Sequence, residues 1–210
     1  MTTLGALKAD IATDLGRSDL TNEIATAITD AIRHYKTEKF WFCENRSATF
    51  ATVAAQSSYT SSDDADIPLF FSVNAVTLED GTEEFTLDWV SQVKMELDLG
   101  NTAASGRPYN YSYFNETFYL YPVPDAAYTV RPIGALEVDA PATDAEADNP
   151  WMTEARELIR CKAKKLLYAH TIKDQALAAV QGAAEEQALI NLWRKTSRKR
   201  SQGKLKATRF

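Results

Sequence analysis

Apolar residues recur at helical spacing towards both ends of the chain and fall into short alternating runs in its middle. Leu4, Leu7, Ile11 and Leu15 lie three or four apart, which predicts a short amphipathic helix stopped by Gly16. Ile24, Ile28, Ala31, Ile32 and Tyr35 form a second stripe, with Asp19 or Thr21 as candidate caps. The linking "GRSD" makes the pair a helical hairpin. After Cys43 the pattern changes. Residues 46–62 are Ser-, Thr- and Ala-rich and read as one or two strands with a polar connection. Residues 73–78 and 84–87 are strand-like runs flanking Asp80-Gly81, a dipeptide suited to the positive φ of tight hairpin turns. "DWVSQVKMELDLG" predicts a short helix with Val90, Val93 and Leu97 on its core face and Gly100 past its end.

Tyr109, Tyr111 and Tyr113 alternate with Asn110, Ser112 and Phe114, Asn115-Glu116 supplies a turn, and residues 118–121 return. Pro122 and Pro124 end that strand or place it at a sheet edge; a last one over 128–130 is cut short by Pro132 and resumes at 135–138. Asn149 and Pro150 are helix-start signals ahead of Trp151, Ala155, Leu158, Ile159, Ala163, Leu166 and Leu167. A break near 171–174 precedes a final helix whose expected core stripe is Leu177, Val180, Ala184, Ala188 and Leu192.

This order predicts an α+β fold, an α-helical bundle from the N- and C-terminal segments with an inserted antiparallel β-rich region. The expected divisions are 1–45 for the N-terminal helices, 46–138 for the inserted region with its short helix, 139–149 for an exposed acidic linker, 150–193 for the C-terminal helices and 194–210 for a basic arm.

Charge sharpens that last division. The chain holds 23 basic and 29 acidic residues, yet "WRKTSRKRSQGKLKATRF" carries eight Lys/Arg and no carboxylate. The remainder is therefore near −14 and the arm near +8, an asymmetry typical of an interaction arm. An acidic body argues against broad adhesion to nucleic acid. No run is long and apolar enough for a membrane span, and "MTTLGALKADIATDLGR" lacks the basic n-region of a signal peptide. Cys43 and Cys161 have no spacing motif and read as buried thiols in a soluble, reducing-compartment protein.

Candidate chemistry is sparse. His34 and His170 stand alone in helical stretches, without a carboxylate or cysteine at ligand spacing. The eight glycines are scattered, which leaves no phosphate-cradling loop. "DDAD" at 63–66 lacks the glycine and distal glutamate of a calcium loop. Glu185-Glu186 reads as a solvated helix face. The tyrosines of 109–121 have no interleaved Arg or Lys, as base stacking would want, and read as sheet packing or a subunit interface. No catalytic set, metal site or cofactor is expected, so the chain is not read as an enzyme.

"IPLFFSVNAV" at 67–76, "GRPYNYSY" at 106–113, "LYPVPDAAYTV" at 120–130 and "NPWMTEARELIR" at 149–160, followed by a helical end and basic tail, resemble the bacteriophage head-to-tail adaptor (connector, tail tubular protein-like) family. The resemblance covers most of the chain; "SSDDAD" departs from it. It implies a structural virion assembly protein at the head-tail junction, present in the host cytoplasm during assembly. It further implies self-association into a ring of twelve copies that joins the portal protein to a downstream nozzle or tail-tube protein. Genomic DNA would pass through without sequence-specific binding. The arm would dock on the portal through Arg194, Lys195, Arg198, Lys199, Arg200, Lys204, Leu205, Lys206, Arg209 and Phe210, and residues 196–210 are expected to be mobile until it does. The alternative reading is a nucleic-acid-binding protein that uses the same tail as an electrostatic arm. With all eight cations on a duplex, its log affinity would fall against log salt with a slope of roughly −7.

Overall fold

The computed structural model describes residues 2–81, 83–101 and 104–200. They form two compact units, one of 1–42 with the segment from 138 onward, the other of 43–137.

The first unit is the helical bundle. Helix α1 (Leu4–Leu15) starts where the Thr3 hydroxyl accepts from Ala6 N–H and stops at Gly16, whose φ of 61° lets the chain turn away. Helix α2 (Thr21–Tyr35) buries the expected Ile24, Ile28, Ala31, Ile32 and Tyr35. Neither proposed cap serves it: Leu20 is the N-cap residue, and Asp19 instead holds Arg17 at 2.7 Å. Asn149 and Pro150 open the short helix α4 (Pro150–Thr153), with the Asn149 carboxamide oxygen accepting from Trp151 N–H at 3.1 Å. The chain breaks there, continues as α5 (Arg156–Leu166), passes into a π-helical turn (Leu167–Ile172), and reverses at Lys173, φ 62°. Helix α6 (Gln175–Arg200) completes the bundle.

An ionic ladder ties α1 to α5. Asp10 pairs with Arg156, and Asp14 accepts from Arg160 at 2.7 Å and from Lys164 at 3.0 Å. Partial burial would raise the Asp14 carboxyl, but the bonds from Lys164 and Arg160 outweigh it and hold the group below its usual range. The 139–149 segment has no regular structure, yet it is not a loose linker. Asp139 pairs with Lys36 at 2.9 Å, Asp144 pairs with Lys8 at 2.6 Å, and the Asp144 carbonyl accepts from Gly5 N–H.

The second unit is an eight-stranded sheet built from β1 (Glu44–Asn45), β2 (Phe50–Ala51), β3 (Ser58–Tyr59), β4 (Phe70–Asp80), β5 (Glu83–Trp89), β6 (Asn110–Phe114), β7 (Thr117–Tyr121) and β8 (Thr129–Leu136). Its order is β1-β8-β4-β5-β6-β7-β3, with β2 also on β8. The pairs of named strands are antiparallel except β5–β6, which run parallel because helix α3 (Gln92–Asn101) carries the chain across between them. The expected antiparallel meander holds only for β4–β5 and β6–β7, since β5–β6 is parallel and β8 and β3 pair with strands that are not their neighbours in sequence. Pro132 does not cut β8. It sits between the stretches paired to β2 and β1, where that edge of the strand has no partner needing its N–H.

Aromatic rings fill the sheet's core. Phe118 is fully buried against Phe50, Phe70 and Tyr113 at centroid distances of 5.7, 5.9 and 4.5 Å; burial of a side chain this size contributes about 1.5–3 kcal/mol. The Tyr113 hydroxyl donates to the Phe70 carbonyl at 2.9 Å, and Tyr111 is buried. Tyr109 alone of the three alternating tyrosines faces solvent. The packing expectation holds for Tyr111 and Tyr113.

Candidate functional site

The residues expected to act in docking lie at the end of α6, so that helix is the place to build from. Its first turn is capped by Asp174, whose carboxylate accepts from Leu177 N–H at 3.0 Å. Its buried line is Ala178, Glu185, Leu192 and Thr196, spaced seven, seven and four. This overturns the expected stripe: Leu177, Val180 and Ala184 point outward, and only Leu192 of the proposed set is buried.

Glu185, read from sequence as a wet face, is the most deeply buried carboxylate among the described residues. It accepts from the Tyr35 hydroxyl at 2.6 Å, from Lys165 Nζ at 2.8 Å and from Lys162 Nζ at 3.1 Å. Burial pushes its pKa up, and the three donors outweigh that and leave it below the ordinary value. The same burial, reinforced by the bond to Glu185, pushes the Tyr35 phenol up. This cluster of four side chains clamps α2, α5 and α6 together.

From Arg194 the helix becomes basic, and it remains helical through Arg200 instead of detaching as an arm at 194. The helix folds part of that charge onto its own unit. Lys195 pairs with Glu154 and lies 5.7 Å from the Trp41 ring centre, while Lys199 stands 4.4 Å over the same ring. Arg200 donates to the Lys39 carbonyl at 2.6 Å, and Trp41 N–H reaches the Thr196 hydroxyl at 3.4 Å. Cations on the last turn also complement the helix dipole. Phe40 stacks between this helix and α4, 5.3 Å from Trp193 and 6.2 Å from Trp151.

The basic set is therefore divided by face. Lys195, Lys199 and Arg200 are engaged at home. Arg194 and Arg198 are exposed and have no carboxylate partner among the described residues. They line a shallow groove with Ile190, Trp193 and Ser197. Lys204, Leu205, Lys206, Arg209 and Phe210 lie outside the described residues. Sequence reasoning found the cations but missed Trp41, Lys39 and Glu154, which receive them from far away in the chain; the only local signal was the aromatic run "FWF" after α2.

Other candidate groups do not converge. Asp63 of "DDAD" accepts from the backbone and hydroxyl of Thr60, a local turn that lowers its pKa. The Cys161 thiol is buried and pushed up to about 11. Among the described residues, no group of three His, Cys, Asp or Glu side chains could hold a metal ion. No helix among them is long and apolar enough to cross a membrane.

The model of one protein family, described as SU10 adaptor protein, matches residues 2–207. No curated protein matches the chain.

Proposed function

The chain belongs to the SU10 adaptor protein family, and from that premise we propose that it forms a ring beneath the phage portal, joins the portal to the tail and surrounds the exiting DNA. A structural adaptor of the phage particle, associated with portal and tail components, is what the family establishes. The finer reading adds twelve copies per ring, a non-catalytic role, a nozzle or tail-tube protein on the far side and a host-cytoplasmic phase during assembly. The family match over 2–207, basic end included, is the observation that carries it.

Portal docking falls to residues 203–210. Lys204, Lys206 and Arg209 steer towards an acidic portal surface, while Leu205 and Phe210 anchor in apolar pockets. Exposed ion pairs contribute only about 0–1 kcal/mol each, so the aromatic anchor carries most of the affinity. Deleting 203–210 is expected to abolish capture of purified portal protein while the circular dichroism spectrum stays unchanged. Undiminished capture by the truncated chain would refute the arm's role. A DNA titration at two salt concentrations separates this from the electrostatic-arm alternative, which requires a steep loss of affinity with salt. Native mass spectrometry with and without portal protein counts the copies.

A further inference from the structure

Two apolar surfaces stand outside the core, one on α3, where helical periodicity assigns Val93 and Leu97 inward, and one on α6. On α3, Val93 and Leu97 are 68% and 57% exposed, and Trp89 at the end of β5 is 65% exposed, while Met95 alone turns fully inward. On the outer side of α6, Ile190 is exposed between the half-buried Leu189 and Trp193, and these three continue into Arg194 and Arg198 along one shallow groove. Contiguous exposed apolar surface rimmed by charge marks an interaction site.

The two faces carry opposite charge. From Asp88 to Asn101 the carboxylates are Asp88, Glu96 and Asp98 against the single cation Lys94, which Asp98 neutralises at 2.7 Å, while Glu84 at the other end of β5 is engaged by Arg131. Asp88 and Glu96 have no cationic partner among the described residues. The α6 groove offers Arg194 and Arg198, with Glu186 its one carboxylate. At 1.5 Å rise per residue, the run from Ile190 to Arg198 is about 12 Å long, enough to receive the part of α3 that carries Val93, Glu96 and Leu97. Nucleic acid would satisfy the arginines but leave the acidic α3 face uncovered and repelled.

We propose that these two surfaces mate between copies of this chain. The α3 face of one copy docks on the α6 groove of the next, with Trp89, Val93 and Leu97 covering Leu189, Ile190 and Trp193. Asp88 and Glu96 meet Arg194 and Arg198. The mating surfaces differ, so the contact is heterologous and runs head to tail, which is the kind of contact that generates a closed ring. The proposal rests on the ring reading above and assigns its subunit contact, moving Arg194 and Arg198 from the portal to the neighbouring copy.

Charge inversion tests it. One full-length variant carries Asp88→Arg and Glu96→Arg; the other carries Arg194→Glu and Arg198→Glu. Assembly on purified portal protein is followed by native mass spectrometry. Each variant alone is expected to lose oligomers by at least about a hundredfold, since like charges facing each other cost several kcal/mol. An equimolar mixture restores them, because every acidic face then finds a basic one. Val93→Glu, with both charge sets intact, also abolishes oligomers. Both charge variants keep the wild-type melting temperature, as all four side chains are exposed. Oligomers from either variant alone, or no rescue in the mixture, overturn the assignment while wild-type rings leave the ring reading standing. Wild-type protein that never oligomerises on portal overturns both.

Discussion

Glu185 shows how far a single residue can depart from its local sequence context. Beside Glu186, in a polar stretch of α6, it looks like half of a wet pair, yet it is 6% exposed and held by three donors. Nothing within a few positions of it announces Tyr35 or the two lysines. Removing it would strand two ammonium groups beside each other. Glu185→Ala is therefore expected to cost about 3–5 kcal/mol in urea unfolding, against about 1.5 kcal/mol for Tyr35→Phe, which deletes one hydrogen bond to a charged group. The folded carboxyl titrates below its unfolded value, so its contribution is complete above about pH 4.3. It is lost as pH falls through the lower, folded value. The stability gap between wild type and Glu185→Gln should thus be full at pH 7 and shrink below about pH 4; thermal melts at pH 7 and pH 3 measure it. A gap independent of pH would mean that Glu185 acts by shape alone.

At the scale of elements, starts and turns were legible because their chemistry is local. Asn149-Pro150 opens α4, Gly16 closes α1, and Gly81 at φ 66° turns between β4 and β5. Faces were less legible. Periodicity finds an apolar stripe but does not say whether anything covers it, and on α3 and α6 the stripes stay outside while Ala178, Glu185 and Thr196 go in. The parallel β5–β6 pair was hidden for a similar reason, since alternation fixes a strand and not its direction. Gly134 is the element-scale position most exposed to test. A Cβ there would stand 2.2 Å from the Ser72 carbonyl oxygen, beside two register shifts between β4 and β8. Gly134→Ala is expected to lower stability by about 3 kcal/mol or more, the upper end of overpacking costs. Asn149→Ala, which removes only a cap, should cost about 1 kcal/mol. Urea midpoints of the two variants rank them; the reverse order would refute the close approach.

For the molecule as a whole, the charge split between an acidic body and a basic end was countable from sequence, but not its use. A count cannot tell that Lys195, Lys199 and Arg200 are spent on Glu154, Trp41 and Lys39, because those partners lie more than forty residues away or in another helix. Two truncations separate the structural part of the basic end from the docking part. Ending the chain after residue 200 retains every contact described for α6, and portal capture should be lost. Ending it after residue 193 also removes buried Thr196, one ion pair and two cations from the Trp41 ring. At about 0.5–1 kcal/mol per exposed cation–π contact and 0–1 for the ion pair, that deletion should cost about 2 kcal/mol in addition. Equal midpoints for the two truncations would mean that the whole of 194–210 is an arm. A step between them places the boundary inside α6, with the bundle continuing past residue 193 and docking beginning after residue 200.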